Sequence, residues 1–256
     1  MNEVLLDRHG DVAVITLNRP DHGNAINAAL ARSLLETVLA CAADANVRCV
    51  LLTGSGRMFC VGGDVKAFAA AGGDTPALVT ELTTFLHAAI VGLLRMDKPL
   101  VTAINGAAAG AGFGLAIMGD VALASSASSF STAYGLIGLT PDAGTSWLLP
   151  RLVGLRHAQE IALANRRLDA TEAVSIGLVT RAVDAAALFD AAMAAAAGLA
   201  ASSVTALAST RELLFSSYGA TLEEQLGAEA RMIARSAGSE EAQALIQKFA
   251  GQGRSS

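Results

Sequence analysis

The first 190 residues alternate short apolar runs with segments of helical periodicity, and this alternation constrains the fold more than any other feature. Helical patterns lie between the apolar runs, one of them capped by Asn27 and another covering about 76–96. The apolar runs have the composition of strands and are "DVAVITL", "RCVLLTG", "PLVTAIN" and "DVALAS". Strands that alternate with helices predict βαβ units and a mainly parallel sheet, so we expect an α/β fold.

The pattern changes at about residue 185, after which nearly every segment has helical periodicity. We therefore predict an α/β core over residues 1–190 and a helical C-terminal region over residues 191–256. The C-terminal helices have apolar faces but no core of their own. We expect them to pack on the α/β core or on another subunit.

Charge and composition argue against two classes of main partner and against a membrane span. The net charge is −5 and the Lys and Arg residues are scattered, which argues against nucleic acid or an anionic membrane. The apolar stretch 100–119 is long enough to span a membrane, but it contains Asn105 and five glycines. A strand, a turn and a short buried helix fit this stretch better.

Cysteine usage and the N-terminal segment bear on the cellular compartment. The three cysteines are odd in number and lack the spacing of a metal site, which is typical of reduced thiols. The segment "MNEVLLDRHGDV" lacks the basic and apolar regions of a signal peptide. We therefore expect a cytoplasmic protein without a metal site.

Three glycine-rich segments follow the predicted strands, at 51–68, 104–114 and 134–147. Ligands of open α/β folds bind outside the carboxyl ends of the strands, and glycine lets backbone N–H groups approach a ligand closely. The segments lack a GK[ST] motif, so a phosphate-binding loop is not indicated. Two unpaired N–H groups that converge on one oxygen would form an oxyanion hole, although composition alone does not bring them together.

Five motifs resemble the crotonase superfamily, also called the enoyl-CoA hydratase/isomerase family. They are "ITLNRPDHGNAIN" (15–27), "LLTGSGRMFCVGGDVKAF" (51–68), "DKPLVTAINGAAAGAGFGLAIMGDVALAS" (97–125), "LIGLTPDAGTSWLLPRLVG" (136–154) and "RRLDATEAVSIGLVTRAV" (166–183). The resemblance implies a spiral of ββα units with a helical C-terminal region, assembled as a homotrimer or hexamer. It implies an acyl-CoA thioester as substrate, with coenzyme A as part of that substrate and no further cofactor. The oxyanion hole would use the N–H groups of Gly63 and Ala111, where the family usually has glycine at the second position.

The sequence departs from the family's hydratases at their two catalytic glutamates, where it has Gly114 and Tyr134. Neither residue carries a proton to or from a substrate at neutral pH, since the pKa of tyrosine is about 10. The motif "PDAG" instead has Asp142 at the position of the acid-base aspartate of some family isomerases, including the ring isomerase of phenylacetate breakdown. The same position holds the nucleophile of 4-chlorobenzoyl-CoA dehalogenases, and His87 falls where those enzymes have a histidine.

Other positions that match the family's pocket are expected to bind the substrate or to shape the loops around it. The resemblance places the remaining substrate-binding residues at Ala25, Cys60, Val61, Asp64, Val65, His87, Gly110, Phe113, Gly114, Tyr134, Leu139 and Pro141. We interpret Cys60 as a small apolar residue and Asp64 as a loop-fixing residue. The candidates for contacts with the coenzyme A phosphates are Arg19, Arg57 and Lys66, although surface charges explain them equally well.

Two interpretations of Asp142 remain compatible at this stage. It is expected to cap the helix that follows, a role worth about 1 kcal/mol, and also to move a proton on the substrate. The predicted function is an acyl-CoA isomerase that converts a 3-enoyl-CoA or a ring acyl-CoA. The alternatives are an enoyl-CoA hydratase, a dehalogenase or hydrolase with Asp142 as nucleophile, and a non-catalytic thioester binder.

Overall fold

A six-stranded sheet forms the centre of the computed structural model, which describes residues 2–252. Nine strands are defined over residues 2–252. They are β1 (Val4–His9), β2 (Val12–Leu17), β3 (Cys49–Gly54), β4 (Leu100–Ile104), β5 (Ala108–Ala109), β6 (Val121–Ser125), β7 (Ser129–Ser131), β8 (Leu168–Asp169) and β9 (Arg181–Val183). Of these, β5, β7 and β8 form a separate three-stranded sheet. The order in the main sheet is β1-β2-β3-β4-β6-β9, with β1 antiparallel to β2 and the other pairs parallel. The predicted α/β class with a mainly parallel sheet is confirmed, and β1 is an additional edge strand that the sequence patterns did not reveal.

Ten α-helices are defined over residues 2–252, and most of the predicted ones are present. They are α1 (Ala28–Ala43), α2 (Val65–Ala71), α3 (Thr75–Arg95), α4 (Ala111–Ile117), α5 (Thr145–Leu163), α6 (Ala170–Ser175), α7 (Leu188–Ala200), α8 (Val204–Ser216), α9 (Leu222–Ala237) and α10 (Glu240–Gln252). Asn27 caps α1 as expected, because its side chain accepts a hydrogen bond from Leu30 N at 2.8 Å. The stretch 100–119 folds as β4, a turn, β5 and the buried helix α4, as expected.

The sheet is covered by helices on both faces, and the side chains of successive residues in a strand point to opposite faces. In β2, Ile15 belongs to the cluster that includes α1 and α3, while Val14 belongs to the cluster that includes α7. Each fully buried aliphatic side chain of this kind stabilises the fold by roughly 1.5–3 kcal/mol. The expected boundary at residue 190 falls inside α7, whose Ala192 and Ala196 pack against the sheet.

Helix α3 belongs to an apolar helical stretch, from Val65 to Arg95, that is long enough to cross a membrane. In this structure Leu86 and Leu93 of α3 are fully buried in the same cluster as the apolar side of α1. The helix is therefore a core helix of the α/β unit, and its first half also borders the cavity described below.

Helix α8 is tied to the core through Arg211, whose side chain is mostly buried. Its guanidinium donates hydrogen bonds to the carbonyl oxygens of Met96 at 2.6 Å and Lys98 at 2.7 Å, and to Asp120 at 2.8 Å. These bonds satisfy carbonyl groups at and just beyond the end of α3, which have no partner within that helix. Arg211 thus joins helix α8 to the core.

Candidate active site

Two of the three glycine-rich segments run side by side beyond the carboxyl ends of β3 and β4. Cys60 pairs with Ala108 in an isolated parallel bridge, and the amide of Ala109 donates to the carbonyl of Cys60 at 2.9 Å. Beyond this bridge, a Cβ on Gly62 would lie 3.3 Å from the amide nitrogen of Ala111, and Gly63 and Ala111 line the same cavity. Tertiary structure therefore brings together the two backbone groups that the resemblance singled out.

The approach of the two loops requires glycine at position 62. Gly62 has a φ of +96°, and a Cβ on it would lie 2.9 Å from the carbonyl oxygen of Ala109 and 3.3 Å from the amide nitrogen of Ala111. A side chain would push the loops apart, because such distances are shorter than normal van der Waals contacts. The motif "VGGD" thus permits the close contact between the segments.

The N–H groups of Gly63 and Ala111 both lack a hydrogen-bond acceptor within residues 2–252. Gly63 pairs with Ile26 in a parallel bridge, but the two hydrogen bonds of that bridge are made by its neighbours. Ile26 N donates to Gly62 O at 2.7 Å, and Asp64 N donates to Ile26 O at 3.0 Å. Ala111 opens α4, where the first N–H groups have no partner within the helix. Both residues line one cavity, so two donors are free to bind an oxygen there.

Asp64 fixes the first loop, as expected. Its carboxylate accepts from Ala67 N at 3.2 Å and forms an ion pair with Arg19 at 3.1 Å. Burial opposes the charge of Asp64, but the bond from Ala67 and the charge of Arg19 outweigh it and hold the pKa below its usual value. Arg19 also pairs with Glu3 and donates to the carbonyl of Ala25, so its guanidinium is occupied within the fold.

Asp142 does not cap α5, and that expectation is wrong. The cap position is Gly144 and no side chain bonds the first turn of the helix. Both Ala143 and Gly144 have positive φ values, +50° and +75°, and this backbone path separates the Asp142 side chain from the helix axis. The carboxylate instead borders the cavity, while the backbone carbonyl of Asp142 accepts from Thr145 N at 2.9 Å.

Two side chains contact the two oxygens of the Asp142 carboxylate. The hydroxyl of Tyr134 donates to Oδ1 at 2.5 Å, and Nε2 of His87 lies 3.5 Å from Oδ2. Tyr134 is 8% exposed, whereas the side chain of His87 on α3 is 49% exposed. Burial, and then the charge of Asp142, raise the pKa of Tyr134 far above its ordinary value, so its hydroxyl stays protonated.

Gly114 lies on the buried helix α4 and faces the turn that carries Asp142. A Cβ at this position would lie 2.4 Å from the carbonyl oxygen of Ala143 and 3.0 Å from Oγ1 of Thr145. The space for a side chain at position 114 is therefore filled by the backbone of the turn. A glutamate there is incompatible with this turn, so the departure from the hydratase pattern is built into the fold.

The cavity has a volume of about 320 Å³ and an apolar lining. Its lining residues are Val61, Gly63, Val65, Phe68, Val79, Leu82, Thr83, Gly110, Ala111, Ala133, Tyr134, Leu136, Ile137, Leu139, Thr140 and Asp142. Asp142 is the only carboxylate of that lining among the residues that the structure describes. Within residues 2–252 there is also no cluster of three His, Cys, Asp or Glu side chains suited to a metal ion.

Eight of the expected site residues line the cavity, and the others lie around it. The eight are Val61, Gly63, Val65, Gly110, Ala111, Tyr134, Leu139 and Asp142. Residues outside the lining are Ala25, Cys60, Asp64, His87, Phe113, Gly114 and Pro141. Phe113 is fully buried in the core, and burial raises the pKa of Cys60 to about 12, which makes its thiol unreactive. His87 still belongs to the site through its contact with Asp142.

Several lining residues were not anticipated from the sequence. Helix α3 contributes Val79, Leu82 and Thr83, which share one face with His87 at helical spacing. The turn before Asp142 contributes Leu136 and Ile137, which are apolar yet exposed. The helical periodicity of α3 was visible in the sequence, but which face would meet the cavity was not.

Comparison with known proteins agrees with this geometry. Residues 7–255 match the family model described as enoyl-CoA hydratase/isomerase. The chain belongs to that family. Its fold is the crotonase fold, since the crystal structure of an enoyl-CoA hydratase from Polaromonas sp. JS666 superposes with a TM-score of 0.93 at 30% identity, over 97% of each chain.

Relatives within the family differ in the activity that their names state. A 1,2-epoxyphenylacetyl-CoA isomerase of Escherichia coli (strain K12) is 36% identical over 85% of this chain and 84% of its own length. A Rhodobacter capsulatus protein named probable enoyl-CoA hydratase is 39% identical over 86% of this chain and 84% of its own length. Family membership makes this chain a crotonase-family acyl-CoA enzyme, while the two names leave the reaction to be argued from the site.

Proposed function

We propose that this protein is an acyl-CoA isomerase that converts a 3-enoyl-CoA, or a related ring acyl-CoA, into the conjugated 2-enoyl isomer. One observation carries the proposal: Asp142 is the only carboxylate among the described lining residues, in a cavity that also has the free N–H groups of Gly63 and Ala111. A single acid-base group beside two backbone donors suits a reaction that removes a proton and then returns it.

The proposed reaction proceeds through an enolate. The thioester oxygen accepts hydrogen bonds from Gly63 N–H and Ala111 N–H, and Asp142 takes a proton from C2. The electrons of the broken C–H bond delocalise onto the thioester oxygen, where the two donors stabilise the charge. Asp142 then returns the proton at C4, and the double bond moves from C3–C4 to C2–C3.

Hydration is less well supported than isomerisation. It needs groups that activate a water molecule and protonate carbon, but position 114 has no room for a side chain. Tyr134 occupies the other glutamate position, and its raised pKa keeps it from acting as a base. Asp142 alone would have to perform both steps.

A nucleophilic reaction is the second candidate, and the contact between His87 and Asp142 favours it. In that reaction Asp142 attacks the acyl carbon and displaces the coenzyme A thiolate, or attacks an aryl carbon and displaces halide. His87, 3.5 Å from Oδ2, takes a proton from the water that then cleaves the resulting anhydride or ester and frees Asp142. The lining argues against an aryl substrate, because Phe68 and Tyr134 are its only aromatic residues within the described part of the chain. We therefore rank this reaction below isomerisation.

The direct test incubates the protein with 3-enoyl-CoA and, separately, with ring-epoxide acyl-CoA and 2-enoyl-CoA thioesters. We expect the ultraviolet band of a conjugated thioester to appear with 3-enoyl-CoA and to persist with 2-enoyl-CoA. Asp142→Asn should abolish turnover and preserve binding of a saturated acyl-CoA, whereas Asp7→Asn, on the exposed strand β1, should change neither. Unchanged turnover in Asp142→Asn refutes the isomerase, and a covalent mass increase on Asp142 during turnover supports the nucleophile.

A homotrimer or hexamer is part of the same proposal. Apolar side chains of the C-terminal helices are exposed in the single chain, among them Leu226 and Ile233 of α9 and Phe249 of α10. Burial of such side chains between subunits would stabilise an assembly. Sedimentation equilibrium of the full chain tests this, with a monomer at micromolar concentration as the contradicting result.

A further inference from the structure

Tyr134 is a buried titratable residue of the cavity that the proposed reaction leaves without a role. Its hydroxyl donates to Oδ1 of Asp142 at 2.5 Å, and only 8% of the residue is exposed. A hydrogen bond from a neutral donor to a carboxylate is stronger and shorter than one between neutral groups. The contact therefore restrains the carboxylate as well as filling space.

The backbone places the Tyr134 ring independently of the carboxylate. Tyr134 N donates to Thr132 O at 2.7 Å, and Leu139 N donates to Tyr134 O at 3.0 Å. The preceding residue, Ala133, has a φ of +56°, a left-handed conformation that few residues other than glycine adopt. Two backbone bonds and a constrained turn thus hold the tyrosine in position before any substrate binds.

The contact makes the two oxygens of Asp142 unequal. Oδ1 is occupied by Tyr134, while Oδ2 lies 3.5 Å from His87, whose side chain is half exposed. A carboxylate held through one oxygen has lost most of its rotational freedom, and the remaining oxygen keeps a constant direction. Reactions of bound substrates are sensitive to such placement, since a displacement of about 1 Å can cost about 100-fold in rate.

We propose, on the basis of the isomerase function above, that Tyr134 is a positioning residue that holds Asp142 through Oδ1 and so assigns proton transfer to Oδ2. The hydroxyl remains a donor through the cycle, because protonation of Asp142 at Oδ2 leaves Oδ1 able to accept. Tyr134 itself gives no proton to the substrate. Its effect on the rate acts entirely through the orientation of Asp142.

The kinetic test compares Tyr134→Phe with Tyr218→Phe, the variant of the other tyrosine in the chain, which is 61% exposed. Tyr134→Phe should lower kcat with 3-enoyl-CoA by about 10- to 100-fold. KM, and the Kd of a saturated acyl-CoA, should change by less than about twofold, because the ring still fills the cavity wall. Tyr218→Phe should match the wild type. An unchanged kcat in Tyr134→Phe, or a loss of binding equal to the loss of kcat, overturns the proposal.

A second measurement detects the contact without any turnover. In a Tyr218→Phe background, Tyr134 is the only tyrosine, so the tyrosine C–O stretching band in the infrared spectrum reports the hydrogen bond of its hydroxyl alone. Adding Asp142→Asn should shift this band, since a hydrogen bond to a carboxylate is stronger than one to a neutral amide. Equal bands in the two proteins overturn the proposal.

The two measurements separate this proposal from the isomerase function on which it rests. If the infrared band shifts between the two variants but the wild type converts no 3-enoyl or ring acyl-CoA, the isomerase function is refuted and the contact stands. An active isomerase without the shift refutes the role of Tyr134 alone.

Discussion

The carbonyl oxygen of Ala143 occupies the space in which a side chain on Gly114 would begin, since a Cβ there would lie 2.4 Å from it. Helix α4 and the turn before α5 are therefore in contact through a position that tolerates only glycine. The turn that presents Asp142 and a glutamate at position 114 exclude each other sterically. Replacing Gly114 by glutamate would therefore not restore the two-glutamate site expected of hydratases, because the turn leaves no room for the side chain.

Restoring both glutamates should therefore not produce a hydratase. We expect the double variant Gly114→Glu/Tyr134→Glu not to hydrate 2-enoyl-CoA, as measured by persistence of the conjugated thioester band. Gly114→Ala alone should lower the free energy of unfolding by about 1–3 kcal/mol through overpacking, as measured by urea denaturation. Gly73→Ala is the matched control, because nothing lies within 4 Å of a Cβ at that exposed position. Rapid hydration by the double variant would contradict the steric argument.

His87 should control exchange of the transferred proton with solvent. It lies 3.5 Å from Oδ2 of Asp142 and half of its side chain is exposed, so it connects the carboxylate to water. In D₂O we expect the wild type to incorporate deuterium at C4 of the product and His87→Gln to incorporate severalfold less. Mass spectrometry of the product measures this, with His22→Gln, at an exposed position, as control. Equal deuterium content in wild type and His87→Gln would exclude a relay through His87.

The charge of Asp64 should stabilise the loop that carries Gly63, and this effect should disappear in acid. Its pKa is lower in the folded protein than the unfolded value of about 3.9, so the charge stabilises the fold above that value and ceases to do so as the pH falls through the folded pKa. We expect Asp64→Asn to cost about 1 kcal/mol near neutral pH and nothing in strong acid. Urea midpoints measured from neutral to acidic pH test this, and a cost independent of pH would contradict it.

Arg211 should be essential for docking α8 on the core. Arg211→Met would leave the carbonyls of Met96 and Lys98 and the carboxylate of Asp120 without their buried partner. We expect the free energy of unfolding to fall by about 3 kcal/mol. Arg235→Met, on the exposed surface of α9, should have little effect in the same denaturant titration. A loss below about 1 kcal/mol for Arg211→Met would show that the docking does not depend on this residue.

Local sequence patterns were sufficient for most elements near the site. Strands β2, β3, β4 and β6 are short apolar runs between turn residues, and α1 and α3 have clear helical periodicity, so local preferences and burial agree. The edge strand β1 escaped prediction because its apolar run is only three residues long, Val4 to Leu6, and is followed by charged residues; five of its six residues are exposed. Asp142 was misinterpreted as a helix cap, since sequence position does not reveal that Ala143 adopts a left-handed conformation.

By itself the sequence determined the α/β class, the family and the residues available for chemistry, because each of these depends on local patterns or on motifs read in order. The resemblance also predicted that Gly114 and Tyr134 stand where the family's hydratases have their two glutamates. Only the tertiary structure decided that Tyr134 and His87 contact opposite oxygens of Asp142, and that Ala143 excludes a side chain at position 114. The contacts of His87 with Asp142 and of Gly114 with Ala143 join segments that are distant along the chain, and that of Tyr134 with Asp142 depends on the path of the turn between them. Their distances depend on how the loops pack against each other, which no local pattern encodes.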